Sequence, residues 1–349
     1  MANFSKNASF FSPLPPSRCG IASYAAEHLL SLEADGVRVN RISMLKDSEA
    51  DVYLNLKSVR SCLKALCQSS DQKSNDLVVH YADNLFFPRR AEGIFSRRIC
   101  YFLQALLLHR LAKQSSKSLV VIHEIPTVTD LSWINNWTRH FALGTFDEIA
   151  FHTLTMRNDF MHRFPKIPTY KTSVVKHTQF MQPHYRGTRV EARTELGIKS
   201  AGVIFLCIGF LHHSKGFHDA IHAFSMVPQP SSSAQLHIVG SAPGKQPEAQ
   251  SYAKELEALG ANTANVFSHQ QYLNDDAFDR WLAAADVVIL PYLGVASSGV
   301  GARASLYGTD VIIRNLPNFT EQLPDAETFT TTAELAELFK KRMADSHAL

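Results

Sequence analysis

The stretch VIFLCIGFLHHSKGFHDAIHAF, residues 203–224, contains the order of elements on which the fold depends. An apolar run without alternation comes first, followed by a loop with two glycines and then by apolar residues at helical spacing. A continuous apolar run is typical of a strand that is covered on both faces of a parallel sheet. A strand that leads directly into a helix is the repeating unit of α/β proteins. The stretch therefore predicts a parallel sheet with helices on both faces.

Similar apolar runs recur along the chain, with helical patterns between them. The runs span residues 77–82, 119–124, 148–153, 173–178, 203–209, 236–240, 286–292 and 310–314. The chain after residue 180 is polar and is interrupted by Pro183 and Gly187 before the runs resume at Val203. We therefore predict two doubly wound α/β domains, residues 1–185 and 186–349, connected near residues 180–200.

The composition excludes several classes of protein. The 349 residues carry a net charge of +3, so the chain has room for two globular domains, and its weak basicity argues against nucleic acid as a partner. Five scattered cysteines without a CxxC pair argue against a disulfide framework or a zinc site and suit a reducing, cytoplasmic compartment. The N-terminal sequence lacks the apolar core of a signal peptide, and no apolar stretch reaches the roughly 18 residues of a membrane span.

Three loops between a strand and a helix carry residues that suit a phosphate group. The first is rich in proline and ends at Gly20, the second contains His212 and Lys215, and the third ends at Ser298 and Gly299. Glycine allows close approach of the backbone to a ligand, the first amides of a helix attract anions, and a lysine neutralises a phosphate as a point charge. A plain connection shaped by proline would explain the first loop equally well.

Histidines end four of the apolar runs in the first half of the chain: His80, His123, His152 and His177. A single histidine at a strand end is usually structural. Because the carboxyl ends of parallel strands meet at one edge of a sheet, four of them predict a cleft lined by imidazoles that hydrogen-bond a polyhydroxylated substrate.

The order of these motifs resembles that of the retaining glycosyltransferases of family four, which have the GT-B fold, especially the bacterial polysaccharide and lipopolysaccharide enzymes. The resemblance rests on SPLPPSRCGIASY (12–24), VVIHE (120–124), VVKHTQF (174–180), GFLHHSKGF (209–217), LHIVGSAP (236–243), WLAAADVVILPY (281–292) and SSGVGARASLYGTDVII (297–313). It spans nearly the whole chain. It implies two Rossmann-like domains that face each other across a cleft, with the acceptor on residues 1–185 and the nucleotide-sugar donor mostly on residues 186–349. It also allows the last helix to pack back on the first domain.

The resemblance assigns roles to individual positions. His123 corresponds to a histidine that contacts the donor sugar near the reacting carbon, Lys215 to the lysine that binds the diphosphate, and His212 to a position where arginine is common. With His152 from the row of strand-end histidines, the predicted donor-binding residues are Gly20, His152, Ser298, Gly299, Val300 and Arg303.

The chain departs from the family at three of the matched positions. The family carries two glutamates, eight positions apart, which contact the transferred sugar and the ribose, and this chain has Val295 and Arg303 there. Glu124 stands where the family has aspartate. We expect Arg303 to contact an anionic part of the donor. The missing glutamates also leave room for a catalytically degenerate binding protein with this fold, whereas Lys215 and Gly20 favour an enzyme.

The expected reaction is transfer of a sugar from a UDP or GDP donor to a glycan or lipid-linked acceptor with retention of anomeric configuration. No DxD-like acidic motif follows a strand convincingly, so no metal and no further cofactor are expected. A sugar epimerase or phosphorylase on the same fold is an alternative. An epimerase would need carboxylates for acid–base chemistry, and the matched positions offer few.

The segment 88–117 predicts a contact with the cytoplasmic face of a membrane. It carries seven lysines and arginines, including Arg97 and Arg98, and only Glu92 is acidic. Apolar residues lie between the cations, and a basic amphipathic helix can lie in a lipid interface. The alternative is that the helix spends its apolar face on the sheet.

Overall fold

The computed structural model describes residues 4–46, 49–68, 76–86, 94–124, 133–199, 202–228, 234–244 and 246–346, without the side chains of 84, 94–97, 133–135 and 346. The chain divides into two compact units, Met1–Phe180 and Met181–Leu349. The domain boundary predicted from the sequence follows residue 185. Because each unit has its own sheet, the two are described in turn.

The first unit contains a seven-stranded parallel sheet in the order β3-β2-β1-β4-β5-β6-β7. Its strands are β1 (Asn7–Phe11), β2 (Arg38–Ser43), β3 (Val52–Tyr53), β4 (Asp76–Ala82), β5 (Ser118–Glu124), β6 (Glu148–Phe151) and β7 (Thr172–Val174). Its helices are α1 (Gly20–Ala34), α2 (Val59–Gln68), α3 (Asp83–Phe86), α4 (Ile94–Gln114), α5 (Trp133–Leu143) and α6 (Leu154–Arg163). Helix α4 packs against both α2 and α5.

The second unit contains a six-stranded parallel sheet in the order β10-β9-β8-β11-β12-β13. Its strands are β8 (Val203–Ile208), β9 (Ala234–Gly240), β10 (Val266–Gln270), β11 (Val287–Leu290), β12 (Asp310–Arg314) and β13 (Glu327–Phe329). Its helices are α7 (Arg189–Glu195), α8 (Phe217–Ser225), α9 (Pro247–Ala261), α10 (Asp275–Ala284), α11 (Gly299–Ser305), α12 (Pro317–Gln322) and α13 (Thr332–Ser346).

Both sheets have the doubly wound order of dinucleotide-binding folds, in which strand order reverses beside the first strand. The reversal lies between β1 and β4 in the first unit and between β8 and β11 in the second. Every residue of β4 and β8 is buried, as expected for strands covered on both faces. The predicted fold class is confirmed.

The last helix, α13, belongs to the core of the second unit. Leu335 and Phe339 are fully buried, and the Phe339 ring lies 4.6 Å from that of Phe205 on β8 and 5.5 Å from that of Phe224 on α8. In the ranges that the structure describes, no helix combines the length and the apolar composition needed to cross a membrane.

Candidate functional site

The loops after β8 and β11 flank the point at which strand order reverses in the second sheet. Ligands of open α/β sheets bind at the carboxyl ends of the strands on either side of such a point. The first loop ends in a single 3₁₀ turn, His213–Lys215, and the two loops are joined by a hydrogen bond of 2.9 Å from Leu293 N–H to the Ser214 carbonyl. The sequence-predicted residues Lys215 and Ser298 therefore belong to one edge of one sheet.

Gly216 brings the two loops into contact. Its φ of +63° lies in the left-handed region, and a Cβ at this position would lie 2.1 Å from the carbonyl oxygen of Pro291. The close approach places the Lys215 ammonium 3.7 Å from the centre of the Tyr292 ring. This cation–π contact fixes the charge at the carboxyl end of β11.

The turn that contains Ser298 is held from below by α12. Ser298 caps α11, because its hydroxyl accepts from Gly301 N–H at 3.2 Å. Both main-chain groups of Ser298 are bound by Gln322, whose amide accepts from its N–H at 2.8 Å and donates to its carbonyl at 2.7 Å. Gly299 and Val300 form the first residues of α11, and a Cβ on Gly209 would lie 3.8 Å from the Val300 side chain. Sequence reasoning missed Gln322.

Arg314, at the end of β12, connects the supports of both loops. Its guanidinium donates to the Pro291 carbonyl at 3.3 Å, to the Asp219 carboxylate at 2.5 Å and to the Thr330 carbonyl at 3.2 Å. Asp219 lies in the first turn of α8, where its N–H donates to the Gly216 carbonyl at 2.9 Å. Sequence reasoning missed Arg314 because its partner Asp219 is 95 residues away along the chain.

Arg303 faces α10. Its side chain is buried, its Nε lies 2.6 Å from the Asp279 carboxylate and its Nη1 lies 3.2 Å from Asp275. Asp279 also accepts from the Tyr307 hydroxyl at 2.7 Å and from His184 N–H at 2.8 Å. The carboxylates explain how an arginine is tolerated in the interior, since an unpaired buried charge would be costly. We therefore remove Arg303 from the candidate donor site and assign it a structural role.

His212 is exposed, and one of its ring nitrogens is engaged in the loop itself. Its Nδ1 caps the 3₁₀ turn by accepting from Ser214 N–H at 3.2 Å. A contact with a donor would therefore involve Nε2. Val295, at the position of the first family glutamate, contributes its main-chain carbonyl to a hydrogen bond of 3.0 Å from Asn318.

Gly20 is the first residue of α1, the helix that follows the proline-rich loop. The helix is capped by Cys19, whose sulfur accepts from Ala22 N–H at 3.3 Å. A Cβ on Gly20 would meet no atom within 4 Å. Packing within the first unit therefore does not require glycine here, and the predicted approach to a donor phosphate stays a prediction.

The strand-end histidines form a hydrogen-bonded chain in the first unit, which we call the histidine array. His28 Nδ1 lies 3.0 Å from His80 Nε2, His80 Nδ1 lies 2.8 Å from His123 Nε2, and His123 Nδ1 lies 3.3 Å from His152 Nε2. The chain ends where His152 Nδ1 lies 3.3 Å from the Val175 carbonyl oxygen. His80 and His152 are buried, and both ring nitrogens of each are engaged in this chain. The expectation that these two histidines line a cleft is therefore wrong.

The Val175 carbonyl determines which nitrogens carry the protons. A carbonyl only accepts, so His152 carries its proton on Nδ1 and, being neutral, accepts on Nε2. The same reasoning passes along the chain and gives His123, His80 and His28 the same tautomer. It leaves the lone pair of His28 Nε2 as a buried acceptor without a protein partner among the described residues.

Aromatic rings enclose the histidine array. The Tyr24 ring centre lies within 5.5 Å of the rings of His80, His123, His152 and His177. Phe180 stacks on His28 at 3.9 Å. Burial lowers the pKa of every member, to about 3 for His28 and about 4 for His152.

The array changes the expected roles of two site residues. Both ring nitrogens of His123 are engaged by His80 and His152, so the described structure leaves its imidazole no N–H for a donor sugar. Both nitrogens of His152 are engaged as well, and we remove His152 from the candidate donor site. Neither His28 nor Tyr24 was singled out from the sequence, although they lie four residues apart on the buried face of α1.

The ranges that the structure describes contain no cluster of side chains that could bind a metal ion. No group of three or more histidine, cysteine, aspartate or glutamate side chains there is arranged to hold an ion. The expectation of a metal-free reaction stays a prediction.

Comparison with known proteins places the fold. Residues 202–345 match the sequence profile of a family described as glycosyl transferases group 1. Sucrose-phosphate synthase from Thermosynechococcus elongatus shares 15% identity, over 98% of this chain and 91% of that chain, with a TM-score of 0.70. Anabaena HepE in complex with UDP-glucose shares 14% identity, over 98% of this chain and 90% of that chain, with a TM-score of 0.67. A search of curated protein sequences gives no match.

A third similar structure is a trehalose-6-phosphate synthase that was analysed for glycosyl transfer with retention. It shares 12% identity, over 99% of this chain and 94% of that chain, with a TM-score of 0.66. The chain has the two-sheet α/β fold of the GT-B glycosyltransferases, and the family match supports the resemblance seen in the motifs over residues 202–345. The sequence match lies in the second unit, which carries Lys215 and Ser298.

Proposed function

We propose that the protein transfers a sugar from a nucleoside-diphosphate sugar to a glycan or lipid-linked acceptor, with retention of configuration. The observation that carries the proposal is the Lys215 ammonium, held over Tyr292 at the reversal point of the second sheet. That unit matches glycosyl transferases group 1. Because HepE binds UDP-glucose, UDP-sugars are the first donors to test, followed by GDP-sugars.

The proposed chemistry needs positive charge at the leaving group. When the bond between the anomeric carbon and the phosphate oxygen breaks, its electron pair stays on that oxygen, while the acceptor oxygen bonds to the same carbon and passes its proton to the leaving phosphate. Lys215 stabilises the growing negative charge, and the Nε2 group of His212 and the amides after Ser298 are further donors. Retention is supported by the likeness to a trehalose-6-phosphate synthase that was studied for such transfer.

We propose that this charge stabilisation requires neither a metal ion nor a cofactor besides the donor. A lysine ammonium and main-chain amides act on the leaving phosphate without a bound cation. Full activity after treatment with a chelator would support this part. Activity that depends on an added divalent cation would contradict it.

Donor binding and transfer are tested in sequence. Thermal unfolding with a panel of nucleotides identifies the base, and mass-detected transfer from the responsive donor identifies the sugar. Lys215→Ala should lower the transfer rate at least about tenfold, since loss of one such stabilising group costs a few kcal/mol in the transition state. Lys199→Ala, an exposed lysine of the same unit, is the control. Equal turnover by both variants would overturn the role of Lys215.

A catalytically degenerate binding protein is the second candidate. It is favoured by Val295 at the position of the sugar-contacting glutamate and by Arg303, whose guanidinium is paired with Asp279. Nucleotide binding without transfer or donor hydrolysis would support this candidate. Conversion of the donor without an acceptor, or only with inorganic phosphate, would instead indicate an epimerase or a phosphorylase.

A further inference from the structure

Three neighbouring helices of the first unit contain no acidic residue. The sequences of α2 (Val59–Gln68), α4 (Ile94–Gln114) and α5 (Trp133–Leu143) have several lysines and arginines and no aspartate or glutamate. Helix α4 packs against both of the others. We call their exposed side the basic helical surface.

The exposed side of α4 mixes cations with an aromatic ring. Arg98 and Lys113 are exposed, and Phe102, which is 43% exposed, lies between them on the same face at helical spacing. The opposite face of α4 is buried, and it includes Tyr101, Leu103, Leu107, Leu108 and Leu111. The helix therefore packs on the core with one face, as the alternative interpretation of the segment 88–117 requires. The exposed ring of Phe102 takes no part in that packing.

Helices α5 and α2 also expose large apolar side chains. Trp137 on α5 is 53% exposed and stacks on Phe141 at 5.5 Å, and Phe141 in turn stacks on His109 of α4 at 4.1 Å. On α2, Leu63 is 49% exposed between the exposed residues Arg60 and Lys64. Large apolar side chains are thus exposed on all three helices, and the exposed cations belong to α2 and α4, since the arginine of α5 is buried in an ion pair.

We infer that the basic helical surface docks on a bilayer that contains anionic phospholipid. Tryptophan and phenylalanine partition into the headgroup boundary, and lysine and arginine are attracted to an anionic leaflet. Because the three helices contain no acidic residue, none of their side chains repels an anionic leaflet. An aqueous polyanion would use the cations and leave Trp137, Phe102 and Leu63 unexplained. The segment 88–117 of the sequence analysis contributes to this surface only through its described part, since 88–93 lie outside the described residues.

The test measures binding to vesicles without donor or acceptor. Full-length protein is sedimented with vesicles of phosphatidylcholine alone and of phosphatidylcholine with phosphatidylglycerol, at low and at high salt. We expect sedimentation with the anionic vesicles that decreases with salt. Protein that stays in the supernatant with both vesicle types at low salt would overturn the inference.

Charge-reversal variants identify the surface. Arg98→Glu and Lys113→Glu should each weaken binding about fivefold or more, because each cation near an anionic leaflet contributes about 1 kcal/mol. Lys254→Glu, on an exposed position of α9 in the second unit, is the matched control and should bind as the parent does. If the control loses as much affinity as the other two, binding reflects net charge and the assignment is wrong.

An insertion readout separates a bilayer from a soluble polyanion. Tryptophan emission should shift to shorter wavelength on addition of anionic vesicles, and Trp137→Phe should abolish most of the shift. Trp137→Ala should weaken binding at least about threefold, whereas Tyr170→Ala, at another exposed aromatic residue of the first unit, should not. Salt-sensitive binding without any shift in emission would indicate that the surface binds an anion in solution, and it would overturn the inference of bilayer docking. Thermal shift with UDP in the same samples reports donor binding separately, so failure here leaves the proposed transfer unaffected.

Discussion

Gly216 is the residue whose replacement should separate the geometry of the donor loops from general stability. In Gly216→Ala the new methyl group would meet the Pro291 carbonyl, and the left-handed φ adds strain, so the loop that carries Lys215 must shift. We expect a loss of about 2–4 kcal/mol in the free energy of unfolding, together with weaker nucleotide binding.

The matched control for that change is Gly308→Ala. Gly308 has a similar φ of +61°, but a Cβ there would meet no atom within 4 Å. It should cost only the conformational strain of about 1 kcal/mol and leave nucleotide affinity unchanged. If both variants bind nucleotide as the parent does, the contact between the loops has no part in the donor site.

Arg314 should act as a positioning residue for the same loops. Arg314→Lys keeps one charge but cannot reach Pro291, Asp219 and Thr330 together, because the planar fork of arginine is lost. We expect nucleotide affinity, measured by calorimetry, to fall about tenfold, with about 1–3 kcal/mol of lost stability. Arg342→Lys is the control, because it replaces another arginine of this unit that binds two carboxylates. It should leave nucleotide affinity unchanged.

Residues such as Arg314 and Gln322 show where sequence reasoning ends. Lys215 and Ser298 could be predicted because each follows an apolar run and sits at a strand-to-helix turn, which is local information. Arg303 was placed wrongly because its surroundings depend on α10, whose aspartates lie more than twenty positions earlier. Contacts between distant segments are set by packing, which a single sequence does not display.

The histidine array should make the protein sensitive to acid. Its members have pKa values lowered in the folded state, so they are neutral there, whereas in the unfolded chain they take up protons below about pH 6.5. The stability they allow is complete above the unfolded pKa and is lost as the pH falls from about 6.5 toward 4. Each such group adds about 1.4 kcal/mol per pH unit to the slope.

Replacement of the first histidine should reduce that slope. His28→Phe keeps the stacking on Phe180 and removes one titrating group, so urea unfolding between pH 6 and 4 should lose about 1.4 kcal/mol per pH unit of its pH dependence. His162→Gln, at an exposed histidine of the same unit, is the control. An unchanged slope in His28→Phe would mean that His28 is not neutral in the folded protein.

Among the elements, the strands could be predicted far better than the array that their ends form. The eight apolar runs correspond to strands β4 to β9, β11 and β12, because burial on both faces leaves an unambiguous composition. The run 173–178 is shorter as a strand, ending at Val174, since His177 already begins a 3₁₀ turn. The hydrogen bonds among the histidines depend on the register of three strands and on α1, and apolar patterns alone do not fix that register.

At the scale of the whole molecule, nucleotide should protect one unit and not the other. The candidate phosphate-binding groups lie in the loops 209–216 and 291–298 of the second unit. Hydrogen exchange of the full chain with saturating nucleotide should slow in those loops, with little change in α9 or in the strands of the first unit. At one hundred times the dissociation constant, the bound ligand stabilises the folded state by about 2.7 kcal/mol. Equal protection of α9 would place the nucleotide elsewhere.

The direction of the hydrogen bonds in the histidine array has an electrical consequence. Four imidazoles that all donate from Nδ1 add their dipoles head to tail, from a bare lone pair at His28 to a capped N–H at Val175. The lone pair of His28 Nε2 can accept a proton, but no proton can leave at the far end, because the Val175 carbonyl oxygen has none to release. The array therefore cannot carry protons through the domain, and burial keeps it uncharged in the folded protein. Nitrogen NMR of the neutral protein should show four imidazoles protonated on Nδ1, the minority form in water.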